Sequence, residues 1–124
     1  MIKNEIEKLL KNFNEDSENG VISANFAFPK SFAGFQGHFP EEAILPGICQ
    51  IEAVMALLSV HLKKEIKISS LSRAKYLNVV KPEEEITVSG TYSDSGNFIS
   101  GKFKITKQIK NETVNVSRIS IKVV

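Results

Sequence analysis

The chain has a single cysteine, Cys49, and no tryptophan, and its 124 residues carry a net charge of only +2. One cysteine excludes an intrachain disulfide and any cysteine-rich metal centre. The near balance of charge removes the electrostatic argument for nucleic acid or a membrane surface, and no helix-turn-helix pattern or basic arm restores it. No apolar run is long enough to cross a bilayer, because the oiliest stretch, Ile48–Leu62, is interrupted by Gln50, Glu52, Ser59 and His61. The opening stretch, MIKNEIEKLLKNFNEDSENG, lacks the continuous apolar core and small-residue cleavage site of a secretion signal. A reducing cytoplasm is the expected location. The many lysines would suit a negatively charged protein partner.

What remains is the balance of an ordinary globular protein, 42% apolar and 24% charged, so residues 1–124 are expected to form one domain around one core. Ile2, Ile6, Leu9, Leu10 and Phe13 recur at helical spacing and predict a short amphipathic helix over Ile2–Asn12, followed by a polar turn over Asn14–Gly20. VISANFAF alternates with period two and predicts a strand over Val21–Phe28, its apolar face on the even positions. A long connection, Pro29–Leu45, follows. Connections of that length in a small domain are usually functional or disordered, and this one holds too many aromatics for disorder.

Pro46 suits the first turn of a helix, where a missing N–H costs nothing. The helix predicted from Gly47 to about Lys63 is apolar nearly all round, so the rest of the domain should enclose it. Strands are expected over Lys67–Val80, with an irregularity near Ser72–Ala74, and over Glu85–Tyr92, Asn97–Lys110 and Thr113–Val124. Turns at Ser93–Gly96 and Lys110–Glu112 join the last three. One buried helix and an antiparallel meander make an α+β plan, a curved sheet around a central helix.

The segment FQGHFPEEAILPGICQIEA carries the chemistry. It resembles the active-site segment of the hotdog-fold β-hydroxyacyl-acyl-carrier-protein dehydratases: Gln36-Gly37-His38-Phe39-Pro40, then Pro46-Gly47, then Glu52-Ala53, at that family's spacing. A weaker similarity covers Ser72–Val88. The resemblance implies that His38 and Glu52 are the catalytic pair and that the Gly47 N–H holds the thioester carbonyl. It makes Gly47, Ile48, Phe39 and Phe35 candidates for substrate contact. It further implies no metal or organic cofactor and an acyl chain delivered by acyl carrier protein on a phosphopantetheine arm. The assembly implied is a homodimer in which each site draws its histidine from one chain and its acid from the other; a hexamer, as a trimer of dimers, stays open. Neither nucleic acid nor membrane is an expected partner.

The residue chemistry agrees. Dehydrating a 3-hydroxyacyl thioester requires a base for the C2 proton, an acid for the departing hydroxyl, and a stabiliser for charge on the thioester oxygen. Imidazole titrates near neutrality and suits the first task. A carboxyl in an oily helix can stay protonated by desolvation and suits the second. Unpaired N–H groups at a helix start suit the third, and a glycine there admits close approach.

The departures fall around this chemistry. Glu41-Glu42 replaces a glycine and a small or basic residue, Ala56 stands where a glutamine is common, and Pro82-Glu83-Glu84 replaces Pro-Gly-Asp. Cys49 reads as an inert buried thiol, and His61 as a favourable partner for the helix C-terminus. Phe32, Phe35, Phe39 and Tyr76 could equally line an acyl tunnel or fill the core. A thioesterase on the same scaffold and a non-catalytic acyl-binding module remain alternatives.

Overall fold

The alternation in Val21–Phe28 becomes strand β2 (Val21–Ala27), and its even positions turn inward: Ile22, Ala24, Phe26 and, just past the strand, Phe28 are buried. It belongs to a six-stranded antiparallel sheet with β1 (Lys11–Asp16), β3 (Ile68–Tyr76), β4 (Glu85–Asp94), β5 (Ile99–Ile109) and β6 (Glu112–Val123), ordered β1-β2-β4-β5-β6-β3. The computed structural model describes residues 2–35 and 43–124, which share one hydrophobic core. Strands β4, β5 and β6 run as successive hairpins. Between β5 and β6, Lys110 and Asn111 both take positive φ (50° and 67°), the two-residue turn whose twist matches the strands it joins.

The central helix, α2 (Gly47–Leu62), buries Cys49, Gln50, Ile51 and every residue from Ala53 to Leu58. A helix apolar on all sides is stable in water only when covered on most of them. Here the covering includes α1 (Ile2–Leu9), whose Ile6 is fully buried, together with β2 and β4. Lys63, in the left-handed conformation, ends α2 by returning its N–H to the Ser59 carbonyl.

Two expectations are corrected at the N-terminus. The helix predicted over Ile2–Asn12 stops at Leu9, and the start of the turn predicted over Asn14–Gly20 is strand instead: β1 runs to Asp16, pairs with β2 through a bulge between Lys11 and Asn14, and leaves the turn at Ser17–Gly20. Strand β1 is an edge strand exposed on most of its length, so KNFNED carries no apolar alternation to betray it.

At the opposite edge, β3 has register irregularities between Ile68 and Ser70 and between Leu71 and Arg73, the second beside the expected Ser72–Ala74. No strand lies on its outer side among the described residues. Yet Ile68, Leu71 and Tyr76 are each nearly half exposed. An apolar edge strand with a free row of backbone groups is a surface that proteins normally cover.

Candidate active site

Helix α2 begins without a side-chain cap. Pro46, with φ −61° and ψ 149°, occupies the capping position and offers no side-chain hydrogen bond. Its carbonyl accepts from the N–H groups of Cys49 (3.0 Å) and Gln50 (3.3 Å). The N–H groups of Gly47 and Ile48 find no acceptor among the described residues. Two unsatisfied donors at the positive end of a helix dipole are a ready site for a carbonyl oxygen acquiring negative charge.

The first of them, at Gly47, borders a cavity of about 330 Å³ whose wall includes Ile44, Leu45, Gly47, Gln50, Tyr76 and Val79. The wall is fixed from several directions. The Leu45 N–H donates to the Val80 carbonyl at 2.8 Å, and the N–H groups of Leu77 and Asn78 both donate to the Val116 carbonyl. The Asn78 side-chain amide donates to the Asn115 carbonyl at 2.7 Å. Tyr76 lines the cavity, and partial burial pushes its phenol up from its ordinary pKa.

The Tyr76 ring lies directly on Gly47. A Cβ added at Gly47 would stand 2.5 Å from the ring's Cζ and 2.6 Å from its hydroxyl oxygen. Those atoms are the far end of a half-exposed side chain, so Gly47→Ala is expected to push the ring aside at a cost of no more than about 1 kcal/mol, measured by urea unfolding. In a Tyr76→Ala background the same substitution should carry no such cost, because the ring it meets is gone. If Gly47→Ala is as stable as the parent, the ring does not constrain this residue.

Glu52 lies one helical turn beyond Ile48, so the two share a face of α2. Ile48 is 63% exposed, and Glu52 is half-buried with no ion-pair partner among the described residues. Cys49 is buried, and burial, then the nearby Glu52 charge, push its thiol upward, so it is a neutral packing group. Phe35 is also buried, its ring edge-on to Phe32 at 5.7 Å, continuing an aromatic row that runs through Phe26 and Phe28. It fills the core and does not line this cavity. His38 and Phe39, with the rest of residues 36–42, lie outside the described residues.

The structure thus brings Gly47, Gln50 and Tyr76 to one cavity and sets Ile48 and Glu52 on the neighbouring helix face. Gln50 escaped the sequence reading, where it counted only as a break in an oily run; its signal is that it is an amide in a helix otherwise fit for burial. At the far end of α2, His61 bonds to the Glu15 carboxylate through Nδ1 and to the Tyr92 hydroxyl through Nε2 at 2.7 Å. That triad ties β1 and β4 to the end of the helix.

Residues 14–117 match the family model described as ApeI-like, ApeI dehydratase. The chain belongs to the ApeI-like dehydratase family. It is 32% identical over 108 residues to 3-hydroxyacyl-[acyl-carrier-protein] dehydratase FabZ of Protochlamydia amoebophila, covering 78% of this chain and 69% of that one. The FabZ of Clostridium botulinum is 36% identical over 85 residues, which span 60% of this chain and 56% of the relative.

Among solved structures, the dehydratase heterocomplex ApeI:P from Xenorhabdus doucetiae superposes with a TM-score of 0.71 at 18% identity, covering 92% of this chain and 95% of that chain. An acyl-CoA hydrolase from Staphylococcus aureus, in complex with butyryl coenzyme A, gives 0.62 at 10% identity over 86% of this chain and 66% of its own. These likenesses establish the hotdog fold that the motif implied. The ApeI-like match runs through Gly47, Glu52 and Tyr76, so the cavity lies inside the family region.

Proposed function

We propose that the chain is a hydro-lyase that removes water from 3-hydroxyacyl thioesters carried by acyl carrier protein, forming trans-2-enoyl thioesters in fatty acid biosynthesis or a related lipid pathway. The single observation that carries this reading is the uncapped start of α2, where the Gly47 N–H has no acceptor among the described residues and Gly47 lines a cavity inside the region matched to a dehydratase family. The thioester oxygen binds at Gly47, with Ile48 beside it. His38 takes the C2 proton, the C2–H electrons form the C2=C3 bond, and the C3 hydroxyl leaves as water with a proton from Glu52. The proton then passes from His38 back to Glu52 before the next turnover.

The active assembly is a homodimer in the cytoplasm. The open apolar edge at β3 and the exposed Ile48 beside half-buried Glu52 support it, because a second copy would cover both. Among the described residues no helix is long and apolar enough to cross a membrane.

The test offers 3-hydroxybutyryl groups on acyl carrier protein and on coenzyme A. Enoyl absorbance supports the reading; release of free thiol without enoyl product would make the protein a thioesterase, and binding without turnover would make it an acyl-binding module. Mixing refolded His38→Ala and Glu52→Gln chains, each inactive alone, tests the dimer. A site shared between chains regains about a quarter of the parent activity, since half the random dimers carry one intact site. A site confined to one chain regains none.

A further inference from the structure

Gln50 is 3% exposed, and its carboxamide is not free to turn. Its Oε1 accepts a hydrogen bond from the Ser117 hydroxyl at 2.6 Å, within the buried interior. Ser117 is itself buried on the inner face of β6, where its neighbours along the strand are Ile119, Ile121 and Val123. It stands at a bulge: Ile105 pairs with Ser117 but Thr106 pairs with Asn115, so Val116 is an extra residue, and Val116 and Ser117 both point inward. The bulge therefore delivers a hydroxyl to the amide of the central helix.

Such a pair is not needed for stability. Two buried polar groups bonded to each other contribute little more than apolar groups of the same shape would. The arrangement does fix what Gln50 presents to the cavity. Helical side chains lean toward the helix N-terminus, so its carboxamide lies over the turn that begins at Gly47. The amide nitrogen has no partner among the described residues, and Gln50 lines the cavity.

With Oε1 occupied, the group offers N–H donors alone. It selects for an acceptor, against a wall made mostly of Ile44, Leu45, Pro46 and Val79. The amide of Asn78 is already spent on the Asn115 carbonyl.

We infer that Gln50, held by Ser117, is a second hydrogen-bond donor of the pocket and binds a carbonyl oxygen of the acyl-thioester ligand. The inference rests on the proposed reading of the pocket as a thioester site. Such a ligand carries carbonyls of two kinds, the C1 thioester itself and the amides of the pantetheine arm.

The experiment compares the parent with Gln50→Leu, Ser117→Ala and Ser117→Thr in full-length protein, each assayed well below its own melting temperature, because removing one partner of the buried pair leaves the other unpaired. Rates are measured with 3-hydroxybutyryl-coenzyme A and with the 3-hydroxybutyryl thioester of a simple alkanethiol, which has no amide. Binding of the coenzyme A thioester is followed separately by calorimetry. Gln50→Leu is expected to lower kcat/KM by about tenfold or more. A fall in kcat with both thioesters identifies the C1 carbonyl as the acceptor, and a rise in KM with the coenzyme A thioester alone identifies an arm amide. Ser117→Ala, acting through Gln50, should move the same constant less, and Ser117→Thr should restore it.

Parent-like kinetics and binding in Gln50→Leu overturn the inference. If the parent binds the thioester but forms no enoyl product, the proposed reaction fails, and weaker binding by Gln50→Leu still supports the donor role. If the parent does not bind it at all, both fail.

Discussion

Glu52→Gln is expected to reduce enoyl formation by about a thousand-fold while leaving the melting temperature unchanged. The size follows from the role proposed for Glu52: a positioned acid contributes about 10²–10⁴ in rate, and an amide of the same shape has no comparable proton to give. The lack of effect on stability follows from its setting. Glu52 is half-buried and has no ion-pair partner among the described residues, and glutamine keeps its shape. Loss of activity together with early unfolding would mean that Glu52 works by holding the helix. A variant within tenfold of the parent would remove it from the reaction. The measurement is the absorbance of the enoyl thioester, read beside a thermal melt of the same preparation.

Much of this arrangement was legible because hydrophobic period and turn chemistry agreed. Helix α2 could be bounded closely, since Pro46 permits a start and nearly every residue after it is apolar. The even positions of β2 are buried as read, and the hairpin at Lys110-Asn111 falls where polar residues interrupt two alternating runs. The motif singled out Gly47, and Gly47 lines a cavity at the start of the helix.

What the sequence concealed depends on partners distant along the chain. Strand β1 shows no alternation because it is an edge. His61 gave no hint of Glu15 and Tyr92, which lie 46 and 31 positions away. Nothing in the strand's own residues singles out Ser117; only the bulge at Val116 and the amide 67 positions earlier give it a task. Polar residues inside apolar patterns are visible at once, but their partners are not.

The largest stability effect is expected at Glu84. Lys107 lies on the inner face of β5 and is only 6% exposed, its ammonium donating to the Val79 carbonyl at 2.6 Å and to Glu84 Oε1 at 2.9 Å. Glu84→Ala leaves that buried cation with a single neutral acceptor and should cost about 3 kcal/mol in urea unfolding at neutral pH, whereas Lys107→Met, which removes the cation itself, should cost less.

Acid titration supplies an independent check. Burial alone would raise the Glu84 pKa, but the Lys81 N–H and the Lys107 ammonium outweigh it and hold the carboxyl below its ordinary range. A carboxyl whose folded pKa is depressed contributes stability above its unfolded pKa and loses that contribution as pH falls through the folded value. The advantage of the parent over Glu84→Gln should therefore be constant near neutrality, begin to shrink at about pH 4.3, and vanish on further acidification. Because Val79 is both an anchor of Lys107 and part of the cavity wall, the same titration should loosen the pocket. Equal acid sensitivity in the parent and Glu84→Gln would mean that Lys107 is held by the Val79 carbonyl alone.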